Sequence, residues 1–576
     1  PKYVFAIFLI GYLIQTLLGI FGMEDWYCFT GLCNQQVNDV TINSSVKDLT
    51  DTDELIDLDE IDMDEIDMDK IDMDKINMDV SSSTNNMIDI QSYRGPDDKK
   101  TFIDKNVAIG MARLSILDLK SEGLCLYKEK NYIFSYNGEI YNYKEIKKEL
   151  ELKGIKFNTS CDTEVFLKAF IYWGVKSFAK FNGMFAAAIY DNISKKLYLC
   201  RDIAGEKPLY YYKNNNNFAF SSEAKAFYKN FSLSKNNDRK FFESFQHCLH
   251  KTLWKEVFSL PPASYMVLDT KNLTFKIRKY WSLKQRSINL KTAEEELESL
   301  IDKSIKLRTN SDVPYGLYFS GGVDSSLIST FHKFKNKFYF DSKLEWKKDF
   351  FKNIKKVAWH LDFPVGSLSS FPLWKLAKNA SKKVKVVLSG EGADEIFGGY
   401  VRYMPIAQEY DLKKKFPSYR GYLFKKYYKY NNFLDGFAAI TSRNINHFEF
   451  VREVLRPYFK MFDDPINAMG YADFELVMPS LLQMGDRMSS AFSLENRCPF
   501  LDKDIIEFGF SLPYDYKIRH LSQKNLLRKI AEKRGLTQSS KMEKKGLIIF
   551  YNKWVKKKDW DRSYYFNFLK KNSLIK

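Results

Sequence analysis

Tyr315-Gly-Leu-Tyr-Phe-Ser-Gly-Gly-Val-Asp-Ser-Ser326 decides the fold of the C-terminal half. Tyr315–Phe319 reads as a short strand, Ser320-Gly321-Gly322 as a tight turn, and Ser325–Lys333 as a helix. The glycines let the backbone turn sharply and present its N–H groups. With the helix N-terminus and the serine hydroxyls they make a cradle for an anion. An acid inside such a cradle would repel phosphate unless it holds a divalent cation, so Asp324 reads as a magnesium ligand. On these residues alone, a plain glycine turn with a capping serine stays open.

The pattern recurs downstream. Val384–Leu388 is apolar and runs into Ser389-Gly390-Glu391-Gly392-Ala393-Asp394-Glu395. Two parallel strands would bring both loops to the carboxyl edge of one sheet, where ligands bind. Glycines rather than polar residues separate the carboxylates, which suits metal binding and proton transfer better than a solvated charge run. A helix over Glu294–Lys306 precedes the first strand. The alternation predicts an α/β doubly wound parallel sheet with helical additions over residues 291–576.

Upstream the texture changes. Ala108–Leu117, Asn131–Tyr136, Met184–Asp191, Lys196–Arg201 and Phe218–Ser222 read as short strands, and Glu164–Tyr172 has helical period. This predicts an α+β domain over residues 19–230, with 231–290 as a connecting segment. Near the front, Tyr3–Met23 is uncharged and long enough to span a bilayer, so a membrane association is expected only if that run is genuine. Ile61, Ile66, Ile71 and Ile76 then recur at a step of five that matches neither helix nor strand. Acids fill most positions between them, so a solvated insertion is expected at about 46–90.

The whole chain of 576 residues carries a formal charge of +17, with 45% hydrophobic and 28% charged residues. Composition therefore excludes a wholly disordered chain, collagen and a disulfide scaffold. The charge is an average of opposites: Val46–Val80 holds 15 acids against 3 lysines, a net of −12, which leaves +29 on the rest. The seven cysteines lack metal-type spacing and read as reduced thiols, consistent with a cytoplasmic protein. Basic charge alone does not establish nucleic-acid binding, and no motif for it accompanies the charge.

SGGVDSS, VKVVLSGEGADEIFGGY, DRMSSAFSLENRCPFLD and Lys524-x-x-Leu-Arg528 resemble the glutamine-dependent asparagine synthetases. RGPDD (Arg94–Asp98), ARLSILD (Ala112–Asp118), YNGEIYN (Tyr136–Asn142), SCDTEV (Ser160–Val165), FNGMFAAAIYD (Phe181–Asp191) and RDIAGEKPLYY (Arg201–Tyr211) agree, in the family's order. The resemblance covers roughly 92–230 and 257–550. It implies an N-terminal-nucleophile glutaminase sandwich joined to an ATP-pyrophosphatase-type synthetase. In the second, Asp324 and Asp394 would hold magnesium on ATP, and Tyr318, Ser320, Gly321, Gly322, Ser325, Ser389 and Gly390 would contact the nucleotide. Lys524 would stabilise phosphate charge, and Glu391 would take a proton from attacking ammonia. In the first, Arg113 and Asp162 would hold the ends of glutamine, Asn137 and Gly138 would form the oxyanion hole, and Leu114, Ser115, Ile116, Leu117 and Glu139 would complete the pocket. Aspartate, glutamine and ATP are the implied substrates and a homodimer is compatible with the resemblance, while a relative amidating another carboxylate and a non-catalytic paralogue stay open as alternatives.

Two departures stand out. Leu17-Leu18-Gly19-Ile20 aligns with the family's Met-Cys-Gly-Ile start, placing Leu18 where the nucleophilic cysteine belongs. Either the glutaminase is inactive and free ammonia is used, or residues 1–18 come from a mispredicted exon; the retained Arg113, Asn137 and Asp162 favour the second. Only 35 residues separate Asp324 from His360, fewer than in the family, which puts part of the adenosine pocket in question. Lys337–Phe340 reads as a remnant strand, Leu344–Leu361 as a helix, and His360 as structural.

Overall fold

The computed structural model describes residues 80–537 apart from 106, 122–123, 235, 237–239, 246–249, 341–345, 363–368, 419–429, 431, 443–444 and 521. The apolar run, Leu18, Cys28, Cys33 and the five-residue repeat fall outside the described residues.

The N-terminal unit contains β1 (Asp98–Asp104), β2 (Val107–Arg113), β3 (Tyr127–Glu129), β4 (Tyr132–Ile140), β5 (Gly183–Asp191) and β6 (Lys196–Arg201). It continues with β7 (Tyr210–Lys213), β8 (Phe218–Ser221), β9 (Val257–Ser259), β10 (Ser264–Asp269) and β11 (Phe275–Lys279). A six-stranded antiparallel sheet runs in the order β11-β10-β6-β5-β4-β3. Its centre is β5, buried along its whole length, where Ala186–Ala188 let layers close on both faces. On one face the helices Tyr143–Glu151 and Asp162–Trp173 pack with Phe134, Phe166, Phe185 and Ile189. On the other, Ala188, Leu199 and Met266 meet Ile109 of β2, Tyr211 of β7 and Leu260. The layers are thus helix, sheet, sheet.

Two boundaries differ from the sequence expectation. The segment 231–290 is no simple connector: β10 pairs with β6 and with β11, and β9 pairs with β7, so it completes the sheets of the first unit. Those strands are short and interrupted by turns, which hid their partners. The expected insertion also ends earlier, because Val80–Ile90 is a helix that buries Met87 and Ile88 against the domain.

The C-terminal unit is built on β12 (Tyr315–Phe319), β13 (Asn336–Tyr339), β14 (Val386–Leu388) and β15 (Glu495–Arg497). All pair in parallel, in the order β13-β12-β14-β15. Tyr318, Phe338 and Val387 face Trp374, Ala377 and Met488. Leu317 and Leu388 face Ile301, Ile305, Leu327 and Ile396 on the opposite side. Helices therefore cover both faces. The chain leaves β12 for β13 and returns past it to β14, which makes β12/β14 the switch point where ligands bind in such sheets. The shortened stretch after Asp324 still supplies the edge strand β13 and the helix Trp346–Leu361. A helical array that includes Met404–Lys415, Phe433–Thr441, Phe448–Met461, Pro465–Leu476 and Met478–Ser490 packs beside the sheet.

The two units share cores: Tyr210, Tyr212 and Phe227 join Tyr318 and Trp374, while Ile203 and Ala263 join Leu317 and Phe500. Among the described residues no helix is long and apolar enough to cross a membrane.

Candidate active site

The two glycine loops meet at the switch point. Gly321 has φ +78°, a conformation glycine adopts without strain, and the loop is laced by hydroxyls. The Ser320 N–H donates to Ser325 Oγ at 3.2 Å, Ser325 Oγ donates to Gly322 O at 3.3 Å, and Ser326 Oγ to Gly321 O at 3.2 Å. Ser320, Gly321, Gly322, Ser389 and Gly390 lie in these two loops, and Ser325 lies in the first turn of the helix Val323–Phe331 that follows the first. A Cβ on Gly390 would stand 2.9 Å from the Cβ of Asp324, so the loops touch there. Tyr318 is different: its ring is buried and its hydroxyl lies 3.3 Å from Ser489 Oγ, so only its main chain faces the cradle side of the strand.

Lys524 closes the cradle from the far side. Its Nζ lies 2.6 Å from Asp324 Oδ2 and 2.8 Å from Asp394 Oδ1. It occupies the left-handed region (φ 54°) directly before the helix Asn525–Lys533, a strained conformation of the kind held at functional sites. Burial works against the Lys524 charge, but the two carboxylates outweigh it and hold its pKa above the usual lysine value. Glu391 sits deeper. Burial raises its pKa, opposed by hydrogen bonds from Asn496 and Cys498, and Ser389 Oγ donates to it as well. The Cys498 thiol lies 3.8 Å from Glu391 Oε2. A paired cation over two carboxylates, with a proton-avid carboxyl behind it, can neutralise phosphate and accept a proton.

A second cavity of about 600 Å³ opens beside β4 in the N-terminal unit. Arg113, Leu114, Ile116, Leu117, Asn137, Gly138, Glu139 and Asp162 line it together. Ser115 does not; its N–H donates to Asp97 Oδ2 at 2.7 Å instead. Gly138 (φ +141°) brings β4 so close to β5 that a Cβ would lie 2.0 Å from Met184 O. Asp162 is held by the Tyr136 hydroxyl at 2.8 Å and the Ile140 N–H at 2.9 Å. Burial still raises its pKa. Arg113 Nη2 donates to Leu117 O at 3.0 Å, which bends the 113–118 loop round the guanidinium.

Several residues at the junction escaped the sequence reading. Arg94 makes a bidentate pair with Asp486 at 2.8 Å and also reaches Glu223 at 2.8 Å. Arg497 joins Glu139 at 3.1 Å and Glu495 at 2.9 Å, and Lys207 reaches Glu495 at 3.2 Å. Their signal was present in RGPDD, RDIAGEKPLYY and ENRCPF, whose charges look like surface residues until the two units are docked. His360 is half-buried against Tyr93 and Trp359, as a structural histidine would be.

Comparison with known proteins agrees with this geometry. A glutamine amidotransferase domain family matches residues 72–281, and an asparagine synthase family matches 296–345 and 343–556. That pairing defines a two-domain amidotransferase joined to a synthetase. Asparagine synthetase [glutamine-hydrolyzing] 1 of Bacillus subtilis is 31% identical, over 82% of this chain and 84% of that protein. Asparagine synthetases 3 and 2 of the same organism are 28% and 27% identical, covering 77% and 84% of this chain and 80% and 71% of theirs. The chain belongs to the glutamine-hydrolysing asparagine synthetase family.

Proposed function

We propose that this chain makes asparagine from aspartate, ATP and ammonia drawn from glutamine, releasing AMP, pyrophosphate and glutamate. The observation that carries the reading is Lys524 bridging Asp324 and Asp394 at the switch point, with Glu391 behind them. A carboxylate is inert to amines until an oxygen becomes a good leaving group. In this reading ATP lies across the loops at 320–325 and 389–390, and the aspartate carboxylate attacks its α-phosphorus, expelling pyrophosphate. Lys524 stabilises the charge that gathers on the phosphate oxygens. Glu391, kept ready for a proton by burial, takes one from ammonia as it attacks the acyl carbon, and AMP leaves.

Asp324 and Asp394 fit magnesium. They are two partly exposed carboxylates at the cradle mouth, and no cluster of three or more potential ligands occurs among the described residues. Magnesium bound through one or two carboxylates with phosphate and water completing its shell suits that donor set. When bound, it would draw off phosphate charge. In the N-terminal unit, which we assign as an N-terminal-nucleophile glutaminase of the cytoplasm, Arg113 and Asp162 bind the carboxylate and amino group of glutamine. Asn137 and the Gly138 N–H polarise its amide, and the 114–117 loop and Glu139 close the pocket.

The test is aspartate-dependent release of pyrophosphate from ATP by the full chain, with glutamine and ammonium chloride as parallel nitrogen sources. Asp324→Ala should abolish it. No aspartate-dependent release from the wild type would refute the proposal.

A further inference from the structure

Asn496, the middle residue of β15, stands beside Glu391. Its register partner is Val387 of β14. Side chains alternate along a strand, so Asn496 points away from Glu495 and Arg497, which pair across the junction. It points instead at Gly485 of the helix Met478–Ser490. A Cβ on Gly485 would stand 3.3 Å from Asn496 Nδ2 and 3.8 Å from Glu391 Oε1. Glycine is a poor residue for a helix interior. Here its missing side chain leaves the gap in which the amide and the carboxyl sit side by side.

The Glu391 carboxyl is gripped from two sides. Ser389 Oγ donates to Oε2, and the Cys498 thiol lies 3.8 Å from the same oxygen. The Asn496 amide hydrogen-bonds to the carboxyl as well, and its Nδ2 lies 3.8 Å from the Cys498 sulfur. Charge fixes the orientation of that amide: turned over, it would set Oδ1 against the carboxylate. In the orientation it holds, Oδ1 is buried and has no hydrogen-bond partner among the described residues. A buried acceptor without a partner is costly, and leucine would fill the same volume without it. A residue kept only for packing has no reason to bear that cost.

We propose that Asn496 is a positioning residue that holds the Glu391 carboxyl in the one rotamer from which it takes a proton during amidation. The inference rests on the function proposed above and adds to it the residue that aims its base. A glutamate side chain turns about three bonds. Ser389 and Cys498 both act on a single oxygen, about which the carboxyl can still swing. The Asn496 donor reaches the carboxyl from β15, in the gap at Gly485, and removes that freedom. Activation of aspartate by ATP calls on Lys524 and the glycine loops, not on Glu391. Asn496 therefore matters to the second half of the reaction and not to the first.

The test resolves the two halves in the full chain. Without a nitrogen source, a single turnover of aspartate-dependent pyrophosphate release reports activation; with saturating ammonium chloride, asparagine formation reports amidation. Asn496→Leu should leave activation within about twofold of wild type and slow amidation about tenfold, the worth of one hydrogen bond to a carboxylate. The KM values for ATP and aspartate should stay within about twofold, and the thermal midpoint should hold or rise. Asn496→Asp keeps the shape but turns the donor into an acceptor, and should slow amidation at least as far. Equal loss in both halves, or a chain that fails to fold, would mean that Asn496 serves the fold alone and would overturn the inference. Amidation at the wild-type rate in either variant would overturn it too. A wild type without aspartate-dependent pyrophosphate release would overturn the function itself, and this inference with it.

Discussion

Gly399→Ala separates the needs of the site from those of the fold. A Cβ at Gly399 would stand 2.0 Å from Asp394 Oδ1 and 2.1 Å from Lys524 Cε, where ordinary contact needs about 3.4 Å. Both atoms are the ends of flexible side chains, so the backbone has no reason to move. The fold should lose only about 1–3 kcal/mol, the usual range for a small overpacking. Room can be made only by driving Lys524 and Asp394 aside by roughly 1 Å each, which breaks their 2.8 Å pairing. A 1 Å displacement of positioned groups can cost about 100-fold in rate. Aspartate-dependent pyrophosphate release at saturating ATP should therefore fall about 100-fold, while the thermal midpoint drops by only some 2–10 °C. Activity within about threefold of wild type would refute the argument that this pair is held in one working position. A chain that fails to fold would refute it too, since the clash would then have reached the backbone.

Other consequences follow from the same contacts. Lys524→Met removes the cation between Asp324 and Asp394 and should lower the rate of pyrophosphate release about 100- to 1,000-fold, the range for losing one preorganised charge stabiliser. Lys524→Arg should not restore it, because Gly399 already hems in the side chain at Cε. Glu206 gives a pH signature in stability. Its pKa rises from the usual 4.5 to about 8 on folding, so the folded chain binds a proton that the unfolded chain has released between those values. Stability therefore falls as pH rises through that window, by about 1.4 kcal/mol per unit, and the penalty is absent below it. In denaturant titrations Glu206→Gln should gain on wild type steadily from pH 5 to pH 8; a constant difference would show that Glu206 does not titrate there.

The glycine loops were legible because they are local. Strand, turn and helix within Tyr315–Ser326 follow from neighbouring residues, and the strand at Tyr315–Phe319 stands where periodicity puts it. The second loop was legible for the same reason, although its strand shortens to Val386–Leu388. β15 was not, because Glu495–Arg497 is three polar residues whose only strand-like property is the neighbour it pairs with, β14. The strands at 257–279 were missed on similar grounds. Glu206 and Arg308 were illegible as buried residues for a different reason. They lie 102 positions apart, and each looks like a solvent-facing charge until the docked units bury both. Tyr318 shows the opposite limit: its position in the motif is informative, but nothing in the sequence says that its ring turns into the core.

The junction explains why two chemistries can share one chain. Arg308, Arg487 and Arg497 are wholly buried there, with Asp486, Asp502, Glu139, Glu223 and Glu495 around them. Burial works against Glu223, yet Lys225, Arg487 and Arg94 hold its pKa far below the usual carboxylate range. Buried ion pairs of this kind add little net stability over an apolar contact, but breaking one strands a charge and costs about 3–5 kcal/mol. Sliding the two units past each other would strand several at once. The apolar cores that span the junction supply the adhesion, and the charge pairs fix a single register. That register brings Glu139, which lines the cavity of the first unit, against Arg497 of the second, and Glu206 against Cys498, which also contacts Glu391.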